Sequence, residues 1–325
     1  MATMTTTSIP ARTGWAVLAV ALLFSLTLPS HAEEGWLVSF EKAKAAAAKE
    51  GKAIFMEFTG SDWCPPCIAL QKNVLSKDAF KQEMPKHFIL LKLDSPRDKS
   101  KQTPEEIAQY KKLSTEYAVR GVPTIYLADA TGKPFAKRVG YGSTVSAEDY
   151  VKDMVAKGAI LKQRDEAIAK TVTTKGVPRA RLLDEALSKI EAEIVSAHYG
   201  DLIAEIIQLD AKDEAGLKTK YEAGQKAAVT KAALQAIIRP PIGANAAAKP
   251  AEQIAKIDQL LAANKPEGEA LQEMLFHKGQ LLMRDNKKDE ARKVLQAAKK
   301  AAPDSAMAPR IDQLIQQLFD PKRAL

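Results

Sequence analysis

Two cysteines, Cys64 and Cys67, are the only thiols in this 325-residue chain, and two residues separate them. An apolar run, residues 53–58, precedes them and is typical of a buried strand. From Pro66 onward apolar residues recur at helical spacing, which places Cys64 at or just before the first turn of a helix. Unpaired backbone N–H groups and the helix dipole favour thiolate over thiol at such a position. The pattern therefore predicts a redox pair in which Cys64 is the nucleophile and Cys67 resolves a mixed disulfide.

Two other interpretations of the cysteine pair are a stabilising disulfide and half of a metal site. A disulfide that closes so short a loop constrains the unfolded chain little, so it adds little stability. A zinc site would need two more ligands, yet there is no third cysteine and the four histidines show no ligand spacing. The sequence therefore favours redox exchange, with no metal and no cofactor.

Residues 63–67, WCPPC, resemble the WCxxC active site of the thioredoxin superfamily. Further on, residues 121–124, GVPT, resemble the G-(I/V)-P-T segment of the same family. The two motifs also have the order found in the family. The resemblance implies a thioredoxin fold and thiol–disulfide exchange activity.

The resemblance also assigns roles to residues around the cysteines. Pro123 is expected to follow a cis peptide bond and to pack against the disulfide, and Val122 to pair through its backbone with an extended substrate chain. Thr124 and Trp63 are expected to belong to the same substrate-binding surface. Without the family, GVPT is a turn before an apolar strand, and Trp63 is a hydrophobic lid on the disulfide.

Glu57 is an acidic residue inside the apolar strand, where a buried carboxylate is costly unless it has a task. The resemblance implies proton exchange with Cys67, which requires a carboxyl pKa above the usual range. The stretch FTGSDWC is one residue longer than the family spacing. The alternative is that Glu57 faces solvent or pairs with Lys92. Asp62 is interpreted as a loop residue that caps the following helix.

The order of elements over residues 33–160 predicts an α/β thioredoxin fold. Strands that alternate with helices and end in a hairpin and a helix indicate a mixed sheet with helices on both faces. Residues 95–103 are polar and interrupted by proline, so they are predicted to be a surface loop. The predicted strands are residues 53–59, 88–93, 124–128 and 135–139, and the helices between and around them include residues 36–50, 103–117 and 146–157.

The first 32 residues have the pattern of a cleaved secretory signal. Arg12 gives a positive start, residues 15–28 are apolar, and residues 30–32 have the small-x-small form of a cleavage site. A retained membrane anchor is the alternative, but the apolar run is shorter than the roughly 20 residues that span a bilayer. The pattern predicts an exported protein, periplasmic or secreted, in which both cysteines are left for redox exchange.

The chain is basic, with 48 Lys and Arg against 40 Asp and Glu and a formal net charge of +8. Lysine and glutamate alternate along helical stretches instead of forming a basic block. A solvated surface of mixed charge explains this pattern better than nucleic-acid binding.

Residues 161–325 contain no tryptophan and no strand-like run, and they are predicted to form an all-helical domain. The stretch 272–305 resembles a tetratricopeptide repeat, although Lys278 stands where an apolar residue is usual. The alternative is an irregular helical bundle whose apolar stripes are core. A repeat module of this kind binds protein, so a protein partner is expected here. The signature residues are Leu275, Gly279, Leu282, Ala291, Leu295, Ala298 and Pro303, and the predicted helices are 161–171, 179–197, 199–209, 213–236, 250–263, 267–284, 287–301 and 307–319.

Together these observations predict an exported thiol–disulfide oxidoreductase that reduces protein disulfides. The reducing direction is inferred because Pro66, at the second position between the cysteines, resembles reducing family members. In an oxidising compartment such a reductase needs an electron donor, for which a membrane thiol relay is expected. Two alternatives stay open: an oxidase or isomerase, and a non-enzymatic interaction protein whose cysteine pair senses redox state.

Overall fold

The sheet and helices are described from a computed structural model, which covers residues 1, 3, 35–239 and 249–319. The predicted secretory signal, residues 1–32, lies almost entirely outside the described residues. None of the described helices combines the length and the apolarity that a bilayer crossing requires.

One five-stranded mixed sheet lies at the centre of the N-terminal half, in the order β1-β3-β2-β4-β5. β3 is parallel to β1 and β2, whereas β4 is antiparallel to β2 and β5. The four predicted strands are present, and the predicted fold class is confirmed. The strands are β1 (Trp36–Leu37), β2 (Ala53–Thr59), β3 (Phe88–Asp94), β4 (Thr124–Ala128) and β5 (Pro134–Val139).

Five helices accompany the sheet, and four of them, all but Asp78–His87, begin at a residue whose side chain caps the helix. A helix was predicted over residues 36–50, but the first of these residues form β1. The helix starts after Ser39, because the Ser39 hydroxyl caps it by accepting a bond from the Lys42 amide. A capping box between Thr103 and Glu106 opens the predicted helix at 103. The helices are α1 (Phe40–Glu50), α2 (Pro65–Leu70), α3 (Asp78–His87), α4 (Pro104–Glu116) and α5 (Ala147–Lys170), with a π-helical turn at Gln71–Leu75 and a 3₁₀ turn at Lys99–Lys101.

The central strand β2 contributes to a core on each face of the sheet, because successive side chains of a strand point to opposite faces. Phe55 belongs to the cluster that includes buried residues of α2, α3 and α5. Ile54, Met56 and Phe58 belong to the cluster that includes buried residues of α1 and α4. Helices therefore cover both faces, and β2, which leads directly to the cysteine motif, is buried throughout.

Helix α5 continues through the point where the sequence pattern places a break between two helices. The predicted break fell near Gly158, and glycine costs a helix about 1 kcal/mol relative to alanine. A Cβ at this position would lie 3.1 Å from the Phe88 ring, so glycine fits the close passage of α5 over β3. The predicted domain boundary at 160/161 lies inside α5, and one core cluster contains residues from Trp36 to Tyr221. The division into domains stays a prediction.

The remaining elements are helical, as predicted. The stretch predicted as one helix over 179–197 is two helices, which end and begin around residues 188–191. The helices are α6 (Gly176–Leu187), α7 (Ala192–His198), α8 (Gly200–Leu209), α9 (Leu217–Ile238), α10 (Pro250–Asn264), α11 (Gly268–Arg284), α12 (Lys288–Ala301) and α13 (Ala308–Phe319).

The tetratricopeptide-like stretch corresponds to α11 and α12, which pack closely. A Cβ added to Gly279 would lie 2.7 Å from Leu295, so only glycine allows this approach of the two helices. Helices α9–α13 contain two core clusters that are separate from those of the sheet. The geometry agrees with the role expected of the small residues, and the repeat assignment itself stays a prediction.

The helical half contacts the β4–β5 hairpin through polar groups. The Tyr199 hydroxyl donates to the Pro134 carbonyl at 3.0 Å, and Arg164 Nη1 donates to that hydroxyl at 2.9 Å. The same guanidinium pairs with Asp129 at 2.9 Å, with both side chains largely shielded from solvent. The five residues of β4 separate Asp129 from Pro123. The Arg164–Asp129 contact therefore lies about 16 Å along the strand from the predicted substrate segment.

Candidate active site

Cys64 occupies the N-cap position of α2, with Pro65 and Pro66 as the first helical residues. Proline is suited to a first helical turn, where the backbone N–H groups lack helical partners. The Cys67 amide donates to Cys64 Sγ at 3.3 Å, so the sulfur takes the place of a conventional capping oxygen. The two cysteines form a disulfide and are 3% and 1% exposed. This arrangement stabilises negative charge on Cys64 once the bond is reduced.

The GVPT segment lies directly against the disulfide. The Val122 carbonyl oxygen is 3.3 Å from Cys64 Sγ, and the Val122–Pro123 peptide bond is cis. Pro123 is buried. Thr124 is 3% exposed and donates its hydroxyl to the Gly121 carbonyl at 2.8 Å. The structure thus brings Val122 and Pro123 to the sulfur, whereas the Thr124 hydroxyl bonds within its own segment.

Trp63 lies across the loop that precedes the cysteines and is half-buried. Its Nε1 donates to the Ser95 carbonyl at 2.8 Å, and the Arg97 guanidinium lies 5.9 Å from the ring centroid. A Cβ on Gly60 would approach the ring to 2.5 Å, so the loop passes under the indole only because residue 60 is glycine.

Asp62 does not cap the following helix, contrary to prediction, because Cys64 holds that position. Its carboxylate instead accepts bonds from the amides of Arg97 at 2.8 Å and Asp98 at 3.2 Å. Both bonds lower the pKa of Asp62 below its usual range, and the bond from the Arg97 amide has the larger effect. The carboxylate therefore joins the active-site loop to the segment after β3.

Asp94, the last residue of β3, and residues 95–98, part of the predicted surface loop 95–103, form the other side of this junction. Asp94 accepts from the Ser61 amide at 3.0 Å and from the Ser61 hydroxyl at 2.5 Å. The Ser95 amide donates to the Thr59 carbonyl at 3.0 Å. The polar residues on both stretches were visible in the sequence, but their pairing joins positions more than 30 residues apart.

Glu57 is 1% exposed, which excludes the alternative that it faces solvent. It lies opposite Lys92 in the register of β2 with β3. As every second residue of β2 shares a face, Glu57 is on the side of Phe55 that packs against α5. The pKa of Tyr150, on α5, is raised above its usual range. The main cause is the burial of its hydroxyl, and the second is the charge of the Glu57 carboxylate.

A cavity of about 240 Å³ lies on the same side of the sheet, next to Cys67. Thr59, Cys67, Ile68 and Lys92 are among its lining residues. Within the described residues, no group of three or more acidic, histidine or cysteine side chains is arranged to hold a metal ion. The cavity borders the buried Cys67 on the side of the sheet that carries Glu57.

This region combines a mixed sheet, a cysteine pair at a helix N-terminus and a cis-proline segment against the sulfur. These are the features that the resemblance to the thioredoxin superfamily led us to expect. Residues 40–155 match the family model of the thioredoxin-like domain, and the chain carries such a domain there. The disulfide bond reductase DsbH of Chlamydia pneumoniae is 34% identical over 103 residues, which are 32% of this chain and 61% of that relative. The match thus spans less than two thirds of the relative's length.

Solved structures, among them the following three, are also similar to part of this chain. One described as DsbH oxidoreductase is 27% identical, covers 42% of this chain and 92% of its own, and has a TM-score of 0.36. The oxidised C-terminal domain of Neisseria meningitidis DsbD is 19% identical over 38% of this chain and 98% of its own, with a TM-score of 0.27. A thioredoxin from Thermus thermophilus is 20% identical over 39% of this chain and 91% of its own, with a TM-score of 0.27.

Replacing Gly60 by alanine is expected to displace the Trp63 ring, because the new methyl group would lie 2.5 Å from it. We expect Gly60→Ala to lower the free energy of unfolding by about 1–3 kcal/mol, measured by urea denaturation. The emission spectrum of Trp63 should change as well. Gly142→Ala is the matched control, since a Cβ there meets nothing within 4 Å, and it should stay within about 0.5 kcal/mol of the wild type. Equal effects of the two substitutions would contradict the proposed packing.

Proposed function

We propose that this protein is a thiol–disulfide oxidoreductase that acts through Cys64 and Cys67. The observation that carries the proposal is the position of Cys64 Sγ, which accepts the Cys67 amide at a helix N-terminus and lies 3.3 Å from the Val122 carbonyl. The Cys67 amide and the helix N-terminus favour the thiolate, which is the nucleophile in disulfide exchange, and the Val122 carbonyl marks where the cis-proline segment meets the sulfur.

The reaction proceeds by two exchanges at sulfur. In the reduced protein the Cys64 thiolate attacks a substrate disulfide, the substrate S–S bond breaks, and one substrate thiolate leaves. Cys67 then gives up its proton and attacks Cys64 Sγ, which releases the second substrate thiolate. Two electrons pass to the substrate and the Cys64–Cys67 disulfide forms.

We assign substrate binding to the surface around this sulfur. The Val122 backbone pairs with an extended substrate chain next to Pro123, and Trp63 borders that chain. Support comes from the contact of Val122 with Cys64 and from the partial exposure of Val122 and Trp63. Thr124 contributes by holding the segment through its bond to Gly121.

Serine substitutions separate the two cysteine roles. Cys64→Ser should lower exchange with a protein disulfide by more than about a hundredfold, because Cys67 is 1% exposed and is the only other thiol. Cys67→Ser should accumulate mixed disulfides that dithiothreitol releases, measured by non-reducing electrophoresis and mass spectrometry. The double variant is the control for background trapping. Recovery of no mixed disulfide with Cys67→Ser, from purified substrate or from an exported extract, would support a redox sensor instead of an enzyme.

We propose that the direction of exchange is reduction of protein disulfides. Support comes from Pro66 between the cysteines and from the similarity to a protein named as a disulfide bond reductase. Equilibration with glutathione and with a dithiol of lower potential should give a reduction potential near or below about −250 mV. A value of about −120 to −180 mV would instead identify an oxidase or isomerase.

Glu57 is proposed to take the proton that Cys67 loses in the second exchange. The carboxyl is buried on the sheet face that carries α2, and its neighbours Thr59 and Lys92 line the cavity next to Cys67. A cavity of this kind admits water, which relays protons between groups that do not touch.

Glu57→Gln removes the titratable proton with little change of shape. The second exchange should slow by about tenfold or more while the first attack keeps its rate, measured by stopped-flow tryptophan fluorescence between pH 5 and 9. Glu222→Gln, at an exposed position of α9, is the matched control and should change neither step. Equal slowing of both steps by Glu57→Gln would show a structural role only.

The helical half, residues 161–325, is proposed to bind a protein partner. Its polar contacts with the hairpin lie at the end of β4 opposite Pro123, which places them away from the cysteine pair. Comparing mixed-disulfide yields of the full chain and of a chain with substitutions on α11 and α12 tests this role.

Residues 1–32 are proposed to direct export, so mature protein should begin at Glu33 when its N-terminus is sequenced. A membrane thiol relay is proposed to return the electrons.

A further inference from the structure

Helix α9 connects two separate hydrophobic cores. Leu217 and Tyr221, in its first turns, belong to the cluster that extends to the sheet. Leu234, near its end, belongs to a cluster shared with α10 and α11. Tyr221 is the last residue of the first cluster along the chain, and Leu234 is the first residue of the second. One helix therefore joins two parts of the molecule that each have a core of their own.

The middle of this helix, residues 222–229, is buried in neither core. All of these residues are exposed except Ala228, which is half-buried. Backbone hydrogen bonds that are open to solvent and lack buried apolar contacts break more readily than those inside a core. The two ends of α9 are therefore held by packing, whereas its middle depends on its own helical hydrogen bonds.

Two local features weaken the helix at this point. A Cβ on Gly224 would meet nothing within 4 Å, so packing does not require glycine there, and glycine makes a helix less stable than alanine does. The Thr230 hydroxyl donates to the Lys226 carbonyl at 2.9 Å, a side-chain bond that often accompanies a helix bend. The exposed stretch therefore combines little tertiary support with a reduced helix propensity.

An ion pair crosses the exposed stretch. Glu193 of α7 lies 3.6 Å from the ammonium of Lys231 on α9, and its other carboxylate oxygen lies 2.7 Å from that of Lys137 on β5. Ile194 and Val195, next to Glu193, are buried in the cluster that extends to the sheet, which fixes α7 on that side. The Glu193–Lys231 pair therefore joins the part of α9 beyond residue 229 to the part of the molecule that contains the sheet.

The strength of this pair is limited by its exposure to solvent. Partial desolvation acts to raise the pKa of Glu193, but the bonds and charges of Lys137 and Lys231 lower it below its usual range, so the carboxylate is ionised at neutral pH. Glu193 and Lys231 are both exposed, and exposed ion pairs contribute little free energy. The pair therefore favours one position of the helix without making that position permanent.

We propose that residues 222–229 are a hinge and that the Glu193–Lys231 pair holds it in the position seen in the structure. Helices α10–α13 then move as one body, together with the last turns of α9, relative to the sheet. Hinge motions of this kind take microseconds to milliseconds. The motion does not require the redox activity of the cysteines. With the partner role proposed above for the helical half, the hinge sets how far a bound partner lies from Cys64.

Distances between two spin labels test the motion in the full chain. Gln163→Cys on α5 and Gln296→Cys on α12 place labels at exposed positions on the two sides, in a chain with Cys64→Ser and Cys67→Ser so that no other thiol reacts. Double electron–electron resonance should show one main distance and a smaller displaced population. Glu193→Gln should raise the ratio of displaced to main conformers about two- to fivefold, the range expected for loss of an exposed pair. Salt at about 1 M should change the wild type in the same direction.

Glu191→Gln is the matched control, because it makes the same change two residues earlier, at an exposed position. It should leave the ratio within about 1.5-fold of the wild type. Lys231→Gln removes the other partner and should act like Glu193→Gln; since Lys231 is exposed, it decides the question if Glu193→Gln fails to fold. One distance that none of the variants and no salt concentration changes, or an equal effect of Glu191→Gln, would overturn the inference.

Hydrogen exchange tests the hinge itself. The amides of residues 222–229 should exchange at least about tenfold faster than those of residues 151–158, in the packed part of α5. Gly224→Ala should slow exchange in the stretch about fivefold, because alanine stabilises the helix. Gly200→Ala, at the exposed start of α8, is the control: a Cβ there also meets nothing within 4 Å, and exchange of residues 222–229 should not change. Equal protection of the two stretches would contradict a hinge in α9.

Discussion

The contact between the Cys67 amide, in the first turn of α2, and the sulfur of Cys64 is the interaction on which the rest of the site depends. It requires a helix that begins at residue 65, which the two prolines favour because they need no hydrogen-bond partners for their nitrogens. It also requires a strand that delivers the chain to that point, and β2 is held between β3 and β4 and buried on both faces. The buried strand and the helix start together fix the place of one sulfur atom.

The sequence predicted the parts of this arrangement that depend on local physics. The bounds of β2 and β4, the capping of α4 and the helical nature of residues beyond 160 follow from apolar periodicity and capping residues, which act within a few positions. Helix α5 was predicted as two helices, over residues 146–157 and 161–171, and Gly158 lies where the prediction places the break. The reason that Gly158 is accommodated is the ring of Phe88, 70 residues away in the chain.

The hydrogen-bond partners of Asp62 could not be predicted from the sequence either, because they too are distant along the chain. A carboxylate three residues before the first helical residue resembles a cap, and only the folded chain shows that it bonds instead to amides 35 and 36 residues further on. The burial of Glu57 was similarly undecided, because a strand pattern does not say which side of a sheet is covered. Long-range pairing, and not local propensity, decides what each polar residue near the cysteines does.

The attachment of the helical half to the β4–β5 hairpin has a consequence for how a large substrate can be engaged. A partner held on those helices and a disulfide at Cys64 would be bound at two separate places on one chain, so the second contact would form without a second diffusional encounter. The effective concentration of the disulfide at the sulfur would then depend on the span between the two places, and the buried Arg164–Asp129 pair beside β4 is one contact that holds α5 to the hairpin. Chains too short to reach both places would react only as fast as free peptides.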